Sequence, residues 1–265
     1  MTKKQEDSPA ASDHPGSGQP DECADKNTHN VVERVLFDGV APEQRAGMRV
    51  LDLPCGSGAF SARVAARGAR VTGGDIVDGL ATRDGIDFAV ADMDAPLSFP
   101  DESFSHVVCI DGIEHIERQF DFVRECRRVL EDDGRLIIST PNISSARSRW
   151  RYFLTGHHNK CKSPLNERHV TPLHHKGMIS FPELRYLLHT NGFVIETITT
   201  NRVKGIAWLF APLWPFSWLT TLRVYHREEG DPGQRSRNRE ILGAMHRVPV
   251  YFGESLIVAA RRVPS

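Results

Sequence analysis

The chain has 265 residues, of which 40% are hydrophobic and 25% are charged, and its formal net charge is −1. This length suits one α/β domain with appended segments, and the near-neutral charge disfavours a dedicated nucleic-acid binder, which would carry a strongly basic face. The five cysteines form no Cys-x-x-Cys pair. A disulfide framework or a zinc ribbon is therefore not expected, and the expected location is the cytoplasm.

The first 29 residues are rich in Ser, Pro, Gly, Asp and Lys and contain no apolar h-region. This composition predicts a disordered tail without a signal peptide over residues 1–29, followed by the folded domain over residues 30–265. Apolar residues at helical spacing then predict a helix over residues 29–39, which would pack on the sheet.

Residues 50–61 read as a buried strand that runs into a glycine turn and then into a helix. Gly56 and Gly58 would let a ligand approach the backbone, and Ser57 or Ser61 would cap the helix. The arrangement resembles a nucleotide cradle, yet the third glycine of a dinucleotide motif is replaced by Ser61. Asp52 at the strand end would repel a diphosphate and attract an ammonium or sulfonium group, so a cationic ligand is expected.

Two further strands end in acidic residues. The second is predicted over residues 70–75 and closes on Asp75, and the third is predicted over residues 86–90 and is followed by Asp92. In a doubly wound sheet, a carboxylate at the end of the second strand can accept both ribose hydroxyls, and one after the third can accept an adenine amino group. The short segment between these strands contains two glycines and is predicted to be a loop.

The run from residue 48 to 142 resembles the class I S-adenosylmethionine-dependent methyltransferases, whose first motif is similar to Asp52-Leu-Pro-Cys-Gly56-Ser-Gly58. The resemblance implies a Rossmann-like, doubly wound, seven-stranded sheet with S-adenosylmethionine as cofactor. Pro54 departs from the family, which more often has glycine there, and proline holds φ near −65°. The implied cofactor-binding residues are Asp52, Pro54, Gly56, Gly58, Asp75, Ile76, Asp92, Met93 and Asp111.

The second half of the sheet can be placed from the same patterns. A fourth strand is predicted over residues 104–110, a helix over 120–130 that ends at Asp132-Asp133-Gly134, and a fifth strand over 135–140. A helix over 181–189, a sixth strand over 193–200 and an antiparallel seventh over 255–260 complete the set. Residues 130–142, ending in Thr140-Pro141-Asn142, are similar to ubiquinone-type and glycan-associated small-molecule methyltransferases.

Three residues are candidates for removing a proton from an acceptor. Glu114 and His115 follow the fourth strand directly, and His169 resembles a histidine in the acceptor-side insertion of the family. A histidine with an ordinary pKa near 6.5 can act as a base at neutral pH. The alternative is that these residues only cap or pack. The histidine-rich segment around residues 157–175 matches no zinc spacing, so no metal site is predicted.

Residues 206–222 carry no charge, hold three of the four tryptophans and are flanked by basic residues. The stretch is too short and too interrupted by proline to span a bilayer, so a peripheral contact with a membrane or a lid for an apolar acceptor is expected. An ordinary buried cap and a dimer contact are the alternatives. Residues 228–240 are predicted to be a solvated loop.

We therefore expect an acceptor-side cap built from residues 144–181 and 203–248. The expected reaction is methyl transfer, to oxygen, on a small or lipid-linked acceptor such as a sugar, quinone or polyketide-like compound. The alternatives are a non-catalytic subunit that binds S-adenosylmethionine and a nicotinamide-dependent dehydrogenase. Neither the acceptor nor the oligomeric state follows from the sequence.

Overall fold

The structure is a computed structural model that describes residues 25–161, 164–169, 171–228 and 230–264. Within these residues seven strands form one sheet in the order β3-β2-β1-β4-β5-β7-β6. The pairings among β1 to β5 are parallel, and β7 runs antiparallel to both β5 and β6. The strands are Arg49–Asp52 (β1), Arg70–Asp75 (β2), Ile86–Val90 (β3), Phe104–Ile110 (β4), Leu130–Pro141 (β5), Phe193–Thr200 (β6) and Ser255–Arg262 (β7).

Helices lie between and after the strands. They are Lys26–Leu36 (α1), Ala59–Ala66 (α2), Gln119–Val129 (α3), Ala146–Thr155 (α4), Phe181–Thr190 (α5), Trp214–Glu228 (α6), Pro232–Met245 (α7) and Val248–Tyr251 (α8), with 3₁₀ helices at Pro42–Gly47, Ile113–His115 and Gly205–Leu213. The doubly wound sheet, its seven strands and its antiparallel last strand were predicted from the sequence and are confirmed.

Neighbouring residues of the central strands belong to different halves of the core. In β1, Val50 packs into one buried cluster and Leu51 into the other, and Val107 and Val108 divide in the same way in β4. This division follows from the alternation of side chains along a strand and explains why the central strands read as continuous apolar runs. Both faces of the sheet are thus covered, which leaves the strand ends as the place for a site.

Helix α1 begins earlier than predicted. It starts at Lys26, and the Asp25 carboxylate caps it by accepting the N–H of Asn27 at 2.9 Å. Residues 26–29 are thus helical and do not belong to a tail, because the helix buries Thr28 and His29. The rest of the predicted tail, residues 1–24, lies outside the described residues.

The prediction of a solvated loop over residues 228–240 is wrong. Asp231 caps α7 by accepting the N–H groups of Gly233 and Gln234, and Pro232 occupies the first helical position. A capping aspartate followed by proline is a strong helix-start signal. The charged composition of the segment had instead favoured the prediction of a loop. The helix is held because Leu242, Ala244 and Met245 are buried.

The fifth strand also begins earlier than predicted. It starts at Leu130, directly after α3, and includes Asp133 at φ +61°. The acidic turn that was expected to end the helix is therefore part of the strand. The reason is that Leu130 is buried and pairs with Phe104 of β4.

The two segments expected to form an acceptor-side cap meet where the ring of Trp150 in α4 approaches that of Phe210 at 6.5 Å. Residues 144–181 contain α4 and a long connection to α5, whereas residues 203–248 contain a 3₁₀ helix, α6 and α7. No helix within the described part of the chain is long and apolar enough to cross a bilayer.

Candidate functional site

A cavity of about 660 Å³ opens at the carboxyl ends of the central strands. Its walls come from the turns after β1, β2, β3 and β4 and from the connection between α4 and α5. Parallel strands present their carboxyl ends at one edge, which is where doubly wound folds bind ligands. Ten of the residues predicted from the sequence line this cavity: Asp52, Pro54, Gly56, Asp75, Ile76, Asp92, Met93, Asp111, Glu114 and His115.

Two predicted residues are not among the described residues that line the cavity. Gly58 lies at φ +78° directly before α2, and a Cβ there would lie 2.6 Å from Leu80 Cδ2. Glycine is needed at this position for the turn and for the neighbouring leucine. His169 is exposed, and its backbone N–H donates to the carbonyl of Asn166. Neither residue is brought into contact with the cavity.

The turn after β1 is tied to the end of β2. Gly56 has φ +54°, and its N–H donates to Asp75 Oδ2 at 2.9 Å. The conformation favours glycine, and the hydrogen bond places the Asp75 carboxylate against the backbone of the turn. The two motifs that the sequence places 19 residues apart therefore form one wall.

Asp52 is fully buried at the base of the cavity. Ser61 donates its hydroxyl to Asp52 Oδ2 at 2.6 Å, so Ser61 fixes this carboxyl and does not cap α2. Burial raises the pKa of Asp52 to about 7, although the Ser61 hydrogen bonds act in the opposite direction. A cationic ligand near this group would favour its ionised form and would itself be attracted.

Aspartates also follow β3 and β4. Asp92 Oδ1 accepts the N–H of Asp94 at 2.9 Å, which orients the carboxylate at the start of its turn. Asp111, at φ +45°, accepts the Ser139 hydroxyl at 2.7 Å through Oδ1. Both residues are thus positioned by their own turn or by a neighbouring strand before any ligand binds.

The charge of the wall distinguishes between ligand classes. Six acidic residues line the cavity against two lysines, Lys160 and Lys176. A dinucleotide carries a diphosphate, which this wall would repel. S-adenosylmethionine carries an ammonium and a sulfonium, and its ribose hydroxyls are donors for carboxylates. The residues present therefore fit S-adenosylmethionine and do not fit a nicotinamide dinucleotide.

Glu114 is a second fully buried carboxyl of the wall. Thr140 donates its hydroxyl to Glu114 Oε2 at 3.0 Å, whereas Oε1 has no hydrogen-bond partner among the described residues. Burial, and then the nearby charge of Asp111, raise the pKa of Glu114 to about 8. At neutral pH this carboxyl is mostly protonated and can donate as well as accept a hydrogen bond.

His115 lies next to Glu114, and its ring is held from two sides. Nδ1 lies 3.2 Å from the carbonyl oxygen of His174, and the ring packs edge-on against His175 with centroids 4.7 Å apart. A carbonyl can only accept, so Nδ1 carries the proton and Nε2 keeps a lone pair. Burial lowers the pKa of His115, which keeps the ring neutral at physiological pH.

The wall includes residues that the sequence analysis did not select. They include His29 of α1, and residues 171–173, His175 and Lys176 from the connection between α4 and α5. Lys160 lines the same cavity. Only the density of histidines between residues 157 and 175 marked this connection. Residues 203–248, the second half of the expected cap, are absent from the described lining.

Glu114, His115 and His175 also form the one described group that could hold a metal ion. They offer one ligand atom each, and these atoms all lie within 4.8 Å of one another. No metal site was predicted from the sequence, because the histidine-rich segment around residues 157–175 matches no zinc spacing. A divalent cation here would have to displace the proton of Glu114, so its binding would strengthen as the pH rises.

Comparisons with known proteins agree with this geometry. A family model described as "Methyltransferase domain" matches residues 51–138. A ubiquinone biosynthesis O-methyltransferase of Xanthomonas oryzae pv. oryzae is 33% identical over 110 residues, which cover 38% of this chain and 46% of the relative. A demethylmenaquinone methyltransferase of Clavibacter sepedonicus is 34% identical over 120 residues, which cover 41% and 49%. The chain therefore spans about half the length of the curated relatives it matches.

Solved structures share the fold over a longer stretch. A SAM-dependent methyltransferase from Archaeoglobus fulgidus superimposes with a TM-score of 0.52 at 18% identity and covers 88% of this chain and 94% of its own. The cyclase SpnF superimposes with a TM-score of 0.51 at 19% identity and covers 90% and 80%. At such identities the likeness concerns the fold, since one fold can host different reactions. Residues 51–138 of this chain thus match a methyltransferase domain, and the described sheet shares its fold with a solved SAM-dependent methyltransferase.

Proposed function

We propose that the chain binds S-adenosylmethionine in the 660 Å³ cavity and transfers a methyl group to an oxygen atom of a small or lipid-linked acceptor. The observation that carries this proposal is the acidic wall at the strand ends, in which Asp75 is hydrogen-bonded to the Gly56 turn. That wall suits a cationic nucleoside and opposes a dinucleotide.

The cofactor, when bound, supplies a methyl group attached to a positively charged sulfur. Asp75 would accept the ribose hydroxyls, and Asp92 would accept the adenine amino group. Asp52 and Asp111 would provide negative charge for the ammonium group. Methyl transfer is an in-line displacement, so the protein contributes mainly proximity and orientation.

The acceptor would enter from the side of residues 171–176, which contact His115 through His174 and His175. His115 would take the hydroxyl proton at Nε2, because Nδ1 is oriented toward the His174 carbonyl. The mostly protonated Glu114 can donate a hydrogen bond to the acceptor from the same side. His169 was the other candidate base, but its exposed position gives it no such role.

The names of the relatives support oxygen as the acceptor atom and a quinone-type compound as one acceptor class. A sugar or polyketide-like hydroxyl fits the same requirements, because the wall provides a base and a neutral donor. Leu173, Pro172 and Ile116 add apolar surface to this side. The acceptor is thus expected to carry an apolar portion next to its hydroxyl.

We also propose a peripheral contact with a membrane surface. Trp208 and Leu209 of the 3₁₀ helix are 52% and 75% exposed, and Phe216 of α6 is 69% exposed. They continue into the exposed face of α4, where Phe153 is 78% exposed and the ring of Trp150 approaches that of Phe210 at 6.5 Å. We call the exposed hydrophobic side chains of residues 150–154 and 206–219 the apolar patch.

Such an extended apolar patch is uncommon on a monomer and indicates an interaction surface. Exposed aromatic rings with nearby arginines are typical of proteins that lie at the lipid headgroups. The exposure of Trp208 disagrees with the alternative of an ordinary buried cap. A dimer contact is the competing occupant, and vesicle binding separates the two.

Isothermal titration calorimetry with S-adenosylmethionine and with NAD tests the cofactor. We expect binding of the first and none of the second, whereas the reverse would indicate a dehydrogenase. Turnover is then followed as S-adenosylhomocysteine formed with quinol, phenol and sugar hydroxyl acceptors. Tight cofactor binding with no product from any acceptor class would favour the non-catalytic subunit.

A further inference from the structure

A second cavity, of about 200 Å³, lies between α4, the 3₁₀ helix at Gly205–Leu213 and the turn before β7. Four basic side chains line it, Arg147, Arg151, Lys160 and Lys204, together with one acidic residue, Glu254. The other polar groups of its wall belong to Asn142, Ser145 and Asn159. None of the residues matched by the family model contributes to this cavity.

The positive charge of this cavity is not neutralised by the protein. Glu254 binds Lys204 at 2.7 Å and also Arg202, which lies outside the lining, at 2.5 Å. Lys160 lies 3.8 Å from the same carboxylate, so Glu254 faces three cations. Among the described residues no carboxylate pairs with Arg147 or Arg151, which lie four positions apart and so share one face of α4. Two guanidinium groups are therefore available to a ligand.

The size of the cavity indicates what part of a ligand it can hold. Pockets that enclose a whole drug-sized molecule measure about 300 to 1,000 Å³. The present cavity is smaller and is suited to one charged group of a larger molecule. Arginine binds phosphate oxygens with pairs of hydrogen bonds, and lysine adds a point charge, so this set of side chains favours a phosphate or diphosphate.

Lys160 connects the two cavities, since it lines both. It has φ +64°, a conformation that is uncommon for a residue with a side chain. Its ammonium lies 3.3 Å from Ser255 Oγ and 3.8 Å from Glu254. A ligand group in the smaller cavity would thus be close to one in the larger.

We propose that the cavity lined by Arg147, Arg151, Lys160 and Lys204 binds a phosphate or diphosphate group of the acceptor, while the acceptor hydroxyl occupies the larger cavity beside His115. This inference rests on the proposed function and specifies its substrate class as a phosphorylated acceptor. The phosphate can belong to a soluble ester or to a lipid. The apolar patch, which shares α4 with the two arginines, suits the lipid chains of the second kind.

Titration of the full chain with inorganic pyrophosphate, in the presence of saturating S-adenosylmethionine, tests the phosphate site. We expect saturable one-to-one binding to the unsubstituted chain. The double variant R147Q/R151Q should bind pyrophosphate about tenfold more weakly or worse, because it loses charge-assisted hydrogen bonds. Neither arginine is among the buried residues of α4, so thermal unfolding of this variant is expected to match that of the parent.

The matched control is R70Q/R237Q, which removes the same charge from two exposed positions outside the cavity. It should bind pyrophosphate like the parent. Equal loss in both double variants would show a response to net charge only and would overturn the proposal. Absence of saturable binding to the parent chain would overturn it as well.

A parallel titration with S-adenosylmethionine alone separates the two proposals. If the cofactor binds but pyrophosphate does not, the phosphate site is wrong and methyl transfer stands. If pyrophosphate binds with the expected dependence on Arg147 and Arg151 while the cofactor does not, the proposed function is wrong and the anion site stands without its assignment to a methyl acceptor.

Cosedimentation with phosphatidylcholine vesicles containing phosphatidic acid distinguishes the two sources of phosphate. For a lipid-borne group, R147Q/R151Q should lower vesicle binding and free pyrophosphate should compete with the vesicles. For a soluble ester, vesicle binding should be unchanged although pyrophosphate binding is lost. Loss of vesicle binding in R147Q/R151Q without any pyrophosphate binding would make these arginines part of the surface contact and would reject the cavity.

Discussion

Asp75 is the residue whose geometry bears most directly on cofactor binding. Its carboxylate ends β2 and accepts the N–H of Gly56 at 2.9 Å. Asp75→Asn should weaken S-adenosylmethionine binding by roughly 1.5 to 3 kcal/mol through loss of charge-assisted hydrogen bonds. Calorimetry measures this change. Asp87→Asn, an exposed substitution on β3, is the control, and an equal effect in both variants would remove Asp75 from the site.

His115 is the residue whose substitution tests proton removal. If it accepts the acceptor proton, His115→Ala should lower turnover by about 10² to 10⁴ with nearly unchanged cofactor affinity. The exposed His169→Ala should turn over normally and is its matched control. Because burial lowers the pKa of His115, activity should fall only below the ordinary histidine range near pH 6.5 as the ring becomes protonated. Full activity of the His115 variant would mean that no base at this position is needed and that the enzyme acts by bringing the reactants together.

An experiment can distinguish whether Glu114 and His115 hold a metal ion or take part in proton transfer. Their ligand atoms lie near one of His175, so a bound divalent cation would bring all three together. Activity that survives extensive dialysis against EDTA and is not raised by Mg²⁺ or Zn²⁺ would leave the three side chains as polar groups of the acceptor wall.

At the scale of secondary-structure elements, the 3₁₀ helix and α6 carry the membrane prediction. The exposed Trp208 should shift its fluorescence to the blue when anionic vesicles are added, and high salt should weaken the association. The double variant L209S/F216S removes two of the most exposed apolar side chains and should bind vesicles less. The substitution V90S, on the exposed edge strand β3, is the control. If the protein forms a concentration-dependent dimer and does not bind vesicles, the apolar patch is a protein–protein contact.

At the scale of the whole molecule, buried carboxyls make folding stability depend on pH. Burial raises the pKa of Asp52 to about 7 and that of Glu114 to about 8, from ordinary values of 3.8 and 4.5. Between the unfolded and folded pKa values the native state binds more protons than the unfolded state, so stability falls as the pH rises. Buried histidines such as His106, whose pKa is lowered to about 4, have the opposite effect, which is complete above about pH 6.5.

The clearest window for this effect is therefore pH 6.5 to about 8. The free energy of unfolding of the ligand-free protein should decline there, and Glu114 should contribute on the order of 2 kcal/mol of that decline. Glu114→Gln keeps the shape of the side chain but cannot ionise, so its denaturation profile should decline less steeply. Urea titrations at several pH values measure both. Parallel profiles for the two proteins would mean that Glu114 does not ionise in this range.

The sequence by itself determined most of the sheet and most of the residues that line the 660 Å³ cavity. Segments that end in Asp52 and Asp75 predicted strands whose acidic ends meet at one edge, and the structure has both. This succeeds because the carboxyl ends of neighbouring parallel strands lie together at the edge of the sheet where ligands bind. The signal for the start of α7, Asp231 followed by Pro232, is also local in the sequence. It was missed because the many charged residues of this segment favoured the prediction of a loop.

Only the tertiary structure decided which residues of the long connection reach the cavity. His175 and Lys160 line it, whereas His169 lies on the surface. From the sequence, His169 was as good a candidate for the base as His115. No described residue of the segment 203–248 lines this cavity, and Trp208 is exposed. Side-chain positions on a connection depend on contacts with distant elements, which no short sequence pattern encodes. For the same reason Arg147, Arg151, Lys160 and Lys204, spread over 58 positions, come together only when α4 packs beside the 3₁₀ helix.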